Sequence, residues 1–245
     1  LELSDLKEFH GDLHIHTCLS PCADLEMSPR NIIKEAKRWG LHFVGICDHN
    51  SGENVRATQK AGERERICVI GGMEVTSQEE VHVLALFDEL SCLQALQKVV
   101  YENLPGTNDK RIYGDQVVVN EDDEVIGFNE KLLIGATEIA LYDVVDLIHR
   151  LNGLVVASHI DREGFGIIGQ LGFIPEDLRL DAVEHTVSPK KDRVASAQDL
   201  PAVVSSDAHV LEEIGRKRTR FLLEEITVAE LRRSFRSEAG RRVLL

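Results

Sequence analysis

The stretch from Gly11 to Asp24, GDLHIHTCLSPCAD, sets two histidines two residues apart in an apolar run and follows them with an acid. Side chains of a β-strand alternate between faces, so His14 and His16 project together while Leu13, Ile15 and Thr17 point the other way. That is a pincer for one metal ion. Histidines also sit satisfied in cores, so the meaning of the pair rests on what the rest of the chain offers. Further imidazoles and carboxylates lie in or after apolar runs: His49 after FVGICD, Glu74 after ICVIGGM, His82 in VHVLAL, His159 after LVVAS, and Asp207 and His209 after AVVSS. With Asp24 these make nine ligand-type residues, too many for one ion. Acids and imidazoles together suit zinc, manganese or iron rather than calcium.

Parallel strands would have to bring these residues together. The C-terminal ends of such strands share one face of a barrel or curved sheet, where these folds place their chemistry. The periodicity predicts the required units. A helix starts at Ser28-Pro29 with Ile32, Ile33, Ala36 and Trp39 on its apolar face and ends at Gly40; the buried strand Phe43–Cys47 follows. A helix over 54–66, strands over 67–70 and 81–86, and a helix over 91–104 continue the rhythm. Residues 105–135 interrupt it with a predicted β-hairpin around the acidic turn Asn120–Asp123, either a lid or a surface excursion. A helix over 136–151, strands at 154–157, 181–185 and 202–205, a helix near 190–197 and an amphipathic helix from Thr227 complete a single α/β domain over 1–245.

Composition narrows the function classes. The chain has 28 basic and 42 acidic residues, a formal charge of −14, which repels a nucleic-acid backbone unless bound metals cancel some of the acids. Long nucleic acid is therefore a disfavoured partner. The N-terminus LELSDLKEF is neither basic nor apolar, and no apolar run approaches the roughly 20 residues of a membrane span. A soluble, cytoplasmic protein is expected. Five cysteines, an odd number in a chain of this size, imply reduced thiols. Cys18 and Cys22 read as small buried side chains rather than ligands, because Cys-x-x-x-Cys without a second pair is a poor zinc signature.

The motifs DLHIHT, CDHN, GGMEVT, VHVLAL, ASHID and SSDAH, in that order, resemble the PHP family, named for its polymerase and histidinol phosphatase members. The resemblance runs over nearly the whole chain. It implies a distorted (β/α)7 barrel, here with a hairpin insertion, whose two or three divalent ions hydrolyse phosphate esters. By position, His14, His16, Glu74 and Asp207 would hold the first ion, with Glu74 bridging to a second held by His82 and His159. Asp24, His49 and His209 would hold the third. The turn Ser20–Asp24 departs from the Ser-Asp-Gly-like family pattern, which makes Asp24 the least secure of these ligands.

Two ions about 3.5 to 4 Å apart can hold a bridging hydroxide in line with phosphorus and stabilise the leaving oxygen, so no side-chain nucleophile is required. The expected catalytic residues are Glu74, with Asp48 and Asp161 orienting imidazoles or transferring protons. Arg162 and His185 are expected at the substrate, Arg162 as a phosphate clamp or else a surface ion pair. The expected activity is hydrolysis of small phosphorylated molecules, nucleotides or very short oligonucleotides. The alternatives are a nuclease or exonuclease of longer strands and a non-catalytic metal-binding PHP module.

Overall fold

A computed structural model of the chain describes residues 6–186 and 200–244. The helix expected near 190–197 lies outside the described residues. The first half comprises β1 (Lys7–Ile15), α1 (Pro29–Arg38), β2 (Phe43–Ile46), α2 (Val55–Glu65), β3 (Cys68–Thr76), β4 (His82–Phe87) and α3 (Leu90–Glu102). Next come α4 (Lys110–Tyr113), β5 (Val117–Val119), β6 (Val125–Phe128), α5 (Leu141–Arg150), β7 (Leu154–Ala157) and α6 (Ile167–Leu171). The chain ends with β8 (Ala182–His185), β9 (Ala202–Val204), β10 (Thr219–Leu223), α7 (Val228–Phe235) and β11 (Arg242–Leu244).

The sheet runs β11-β10-β1-β2-β3-β4-β7-β8-β9. Beyond β9 the chain returns to β1, where Ile15 bridges Ala208 and the His16 N–H donates to the Ala208 carbonyl at 3.0 Å. This contact closes β1–β4 and β7–β9 into a seven-stranded barrel, while β10 and β11 extend from the first half of β1. The expected distorted (β/α)7 architecture is thus present, with one correction. β4 is antiparallel to both its neighbours, β3 and β7, not parallel. Only the turn 77–81 joins β3 to β4, too short for a parallel crossover of a dozen or more residues. The reversal puts His82, the first residue of β4, opposite Thr76 at the end of β3 and so on the same rim as the other ligands.

Two apolar layers support the barrel. The outer one packs Ile32, Ile33 and Ala36 of α1, Val144 and Ile148 of α5 and their neighbours against the outward face of the strands. Burying Ile32 and Ile33 contributes roughly 1.5–3 kcal/mol each, whereas Trp39, expected on the same face, is 41% exposed beyond the helix end. The inner layer, including Leu13, Phe43, Leu84, Val156 and Val203, is closed by Leu231 and Phe235 of α7. Arg232 on α7 donates to the Gly153 carbonyl before β7, which sets this helix at the barrel end opposite the ligand rim.

β1 also departs from strict alternation. Its pairing with β2 shifts register between Asp12 and Ile15, and Leu13 joins the inner layer while Ile15 joins the outer one. They therefore do not share a face as the alternation predicted. Such a bulge re-aims the side chains that follow it, here His14 and His16. The close β1–β2 approach requires Gly45, where a Cβ would collide with the Leu13 carbonyl.

The hairpin of the 105–135 insertion is β5–β6, and it is tied down. The Val117 N–H donates to the Cys18 carbonyl at 3.0 Å, and buried Asn54 bonds both the Val117 carbonyl and the Val119 N–H at 3.0 Å. No helix among the described residues is long and apolar enough to cross a membrane.

Candidate metal centre

Eight of the nine expected ligands meet at the rim: His14, His16, His49, Glu74, His82, His159, Asp207 and His209. All are buried except His209, whose side chain is 25% exposed. His14 Nε2 lies 3.0 Å from His16 Nε2, 3.4 Å from Glu74 Oε1 and 3.3 Å from Asp207 Oδ1. The same Asp207 oxygen is 3.1 Å from His16 Nε2. Glu74 then reaches outward: Oε1 lies 3.0 Å from His82 Nδ1 and 3.3 Å from His159 Nε2, and Oε2 lies 3.1 Å from His49 Nδ1. Backbone strain accompanies this convergence, since His159 (φ 29°) and Asp207 (φ 52°) adopt left-handed conformations that ordinary residues avoid.

The supporting hydrogen bonds determine where the ring protons sit. Glu184, buried at the end of β8, lies 3.1 and 3.2 Å from His14 Nδ1, which donates its proton to the carboxylate. Ser20 Oγ donates to Asp48 at 2.7 Å, so it must accept from His16 Nδ1 at 2.9 Å. The Nε2 atoms of both rings are consequently the ones that face each other and two carboxylates, the positions a bound ion would take up once any proton on them is released. Burial disfavours charge on His14, yet Asp207, Glu184 and Glu74 outweigh it and raise its pKa well above the usual imidazole value. Burial and the imidazoles of His209 and His49 hold His16 well below that value. Burial also works against the Glu74 carboxylate, but His82 and His14 hold its pKa well below the ordinary range. Asp207 is lowered in the same way, chiefly by His14 and His16.

This arrangement fits metal ions. Ligand atoms about 2.0–2.2 Å from a common ion stand about 2.8–3.6 Å apart for right-angle to tetrahedral geometry, as the His14, His16 and Asp207 atoms do, with Glu74 oxygens 3.4 Å from His14 and 3.6 Å from His16. His49 Nδ1, His82 Nδ1, His159 Nδ1 and Glu74 Oε1 are buried without a hydrogen-bond partner, and such groups are rare unless something else satisfies them. Imidazole and carboxylate donors suit first-row transition ions.

The remaining expected residues lie as follows. Asp24 is exposed, and none of the ligand clusters among the described residues includes it. Asp48 holds Ser20 and the Thr17 N–H and hydroxyl, so it orients His16 through Ser20. Asp161 accepts from the N–H and hydroxyl of Thr186. Arg162 is 43% exposed and pairs with Asp207 Oδ2 at 2.6 Å, leaving Oδ1 to the histidines. His185 is buried near Asp161, and the ligand clusters do not include it. Its neighbour Glu184 takes the inward position on β8. The sequence DAVEH carried that signal, an acid at the end of an apolar run, but the adjacent imidazole drew the assignment. Cys22, expected to be buried, is exposed, and none of the ligand clusters among the described residues includes it.

Comparisons with known proteins agree with the family and the fold. The family model described as "PHP domain" matches residues 12–171, and a model described as "PHP-associated" matches 189–239. A phosphoribosyl 1,2-cyclic phosphate 1,2-diphosphodiesterase of Eggerthella lenta is 28% identical over 80 residues, 31% of this chain and 29% of that protein. The lesion-specific endonuclease Q of Pyrococcus furiosus superposes with a TM-score of 0.74 at 18% identity, covering 98% of this chain and 58% of that one. An endonuclease Q complex with a 27-mer duplex bearing an abasic lesion gives a TM-score of 0.69 at 19% identity, over 96% and 58% of the two chains. The chain therefore spans under two thirds of the length of these relatives.

Proposed function

The chain belongs to the PHP domain family, and from that premise we propose that it is a metal-dependent phosphoesterase acting on small phosphorylated molecules, with nucleotides or very short oligonucleotides favoured. One observation carries the reading: the buried His14 and His16 Nε2 atoms lie 3.0 Å apart and each comes within 3.1–3.6 Å of an Asp207 and a Glu74 oxygen. Glu74 extends the set toward His82 and His159, so it would be shared between two ions. Divalent ions held there would supply Lewis acidity toward phosphoryl oxygens and activation of water.

The protein's own residues do the positioning. Glu184 fixes the tautomer and orientation of His14, and the Asp48–Ser20 pair does the same for His16. Arg162 holds one Asp207 oxygen and keeps a partly exposed guanidinium at the rim, where its other N–H groups can grip a phosphate. Asp161 supports the same loop through Thr186. His185 is proposed as a secondary substrate contact at the end of β8.

A second reading, cleavage within longer nucleic acid, is favoured by the near-complete superposition on endonuclease Q. The net charge of −14 weighs against it, because strand binding draws its affinity from neutralised phosphates. The deciding experiment measures kcat/KM on mononucleotides, sugar phosphates, histidinol phosphate, a cyclic phosphodiester, oligonucleotides of increasing length and lesion-bearing duplex, with zinc, manganese and iron in turn. Efficient turnover of the small esters with a shallow salt dependence is expected. Activity that climbs with strand length and collapses with salt would transfer the assignment to the nuclease.

A further inference from the structure

The loop after β7 carries more than a rim histidine. His159, Arg162 and Phe165 follow one another at equal spacing, and the segment that holds them is fastened on both sides. Asp161 accepts from the N–H and hydroxyl of Thr186, just beyond β8. The Phe165 carbonyl accepts from the His82 N–H at 2.9 Å, where β4 begins. Gly166 permits the tight path between them, since a Cβ there would stand 2.8 Å from the Arg162 carbonyl oxygen and 2.9 Å from that of His159.

Phe165 is held by this path in a conformation that a bulky side chain avoids, with φ at 60° in the left-handed region. Its ring stacks on the His82 imidazole, the centroids 4.6 Å apart and the planes 20° from parallel. A phenylalanine so constrained would ordinarily be buried, yet Phe165 is 43% exposed. Because His82 covers one face of the ring, the exposure falls on the opposite face and the edge. The imidazole and the phenyl ring are thus two layers of a stack whose outer side is open, on the same loop as the guanidinium that pairs with Asp207.

We propose that Phe165 is the platform on which the base of a nucleotide substrate stacks, and that it sets the preference for nucleotides over base-free sugar phosphates. The proposal rests on the phosphoesterase reading and deepens it. A nucleotide offers an anionic end and a planar aromatic end, and this loop presents a partner for each, Arg162 for the phosphate and Phe165 for the base. Three residues of chain span at most about 11 Å, within the reach of a single nucleotide. Every base has a π face, so such a platform selects for the presence of a base without selecting which one. A ring that only shielded His82 would serve all substrates alike, and this difference is measurable.

The test compares adenosine monophosphate with ribose 5-phosphate, the same phosphorylated sugar without a base, on the full chain loaded with zinc. KM is read where the compound is hydrolysed, and Kd by calorimetry where it is not. The wild-type protein should favour the nucleotide by about tenfold or more, the scale of stacking on one base. Phe165→Leu keeps apolar cover over His82 but removes the π face, and should erase most of that preference; Phe165→Trp should restore it. An equal loss for both compounds in Phe165→Leu would confine the ring to supporting His82 and overturn the platform. A preference that Phe165→Leu leaves intact would overturn it as well, because the base would then be held elsewhere. The two readings fail differently. Wild-type protein that takes both compounds equally well rejects only the platform, whereas metal-loaded protein that neither binds nor hydrolyses either compound rejects the small-phosphoester reading beneath it.

Discussion

Replacing Glu184 with glutamine removes one charge from a side chain that is 1% exposed and touches no expected substrate position. The carboxylate accepts the His14 Nδ1 proton at 3.1 and 3.2 Å and lies 3.4 Å from the His159 N–H. Glutamine keeps the volume and one acceptor oxygen, so the charge-assisted bond becomes a neutral one. The difference is about 1–2 kcal/mol, or about 5- to 30-fold in metal affinity, within reach of the 10- to 100-fold typical of partners that orient metal-bound histidines. Glu184→Ala should lose more, because it strands the His14 Nδ1 proton in a buried site. Competitive zinc titration against a chromophoric chelator reads the loss directly, with circular dichroism confirming the fold. A second readout is specific to the proposed contact: the carboxylate helps raise the His14 pKa, so in the metal-free variant His14 should lose its proton at lower pH by NMR. Zinc affinity within about twofold of wild type together with an unmoved His14 titration would show that Glu184 does not position this ligand.

Glu74→Gln should lower turnover by at least about 100-fold, as the loss of a major electrostatic contribution to a transition state does; near-normal turnover with metal still bound would mean that Glu74 is not shared between ions. Metal uptake should release protons, because carboxylates hold a proton on His14 against the cost of burial and the His49 pKa is raised to about 10 in the metal-free protein. Zinc affinity should therefore rise with pH, and calorimetry at neutral pH should give heats that vary with buffer ionisation enthalpy; buffer-independent heats would contradict the assigned protonation. Arg162→Ala should raise KM about tenfold and Arg162→Lys should recover part of the loss, as a phosphate contact requires; an unchanged KM in Arg162→Ala would confine Arg162 to supporting Asp207.

The cluster of imidazoles and carboxylates was legible in the sequence because each of its residues follows a local rule. An apolar run long enough to be buried ends in a group that burial would penalise, and the chain repeats this from His14 to His209. No single run is informative by itself, but eight such residues sharing one rim turn separate penalties into one site. Alternating strands and helices, which admit few ways of burying their apolar faces, pointed to a barrel or curved α/β sheet, and the resemblance to the PHP family narrowed this to a barrel. The strands β10 and β11 were not foreseen. Their short polar-apolar alternation acquires meaning only when β10 pairs antiparallel with the first half of β1.

Tertiary structure decided which neighbour of a good residue does the work. Between Glu184 and His185 the choice depends on which face of β8 looks into the barrel, and a one-residue difference reverses it. The bulge in β1 likewise moved Leu13 and Ile15 to opposite sides, although the spacing of His14 and His16 had been read correctly. The direction of β4 was set by the length of a turn. Around Ser20–Asp24 the decisive fact is how that turn is fastened to His16, Asp48 and His209, the last from the other end of the chain. Residue type and spacing report which chemistry a chain can perform, whereas register and long-range hydrogen bonds determine which of two adjacent side chains joins the cluster, because strand faces alternate every residue and local pattern does not record which face closes inward.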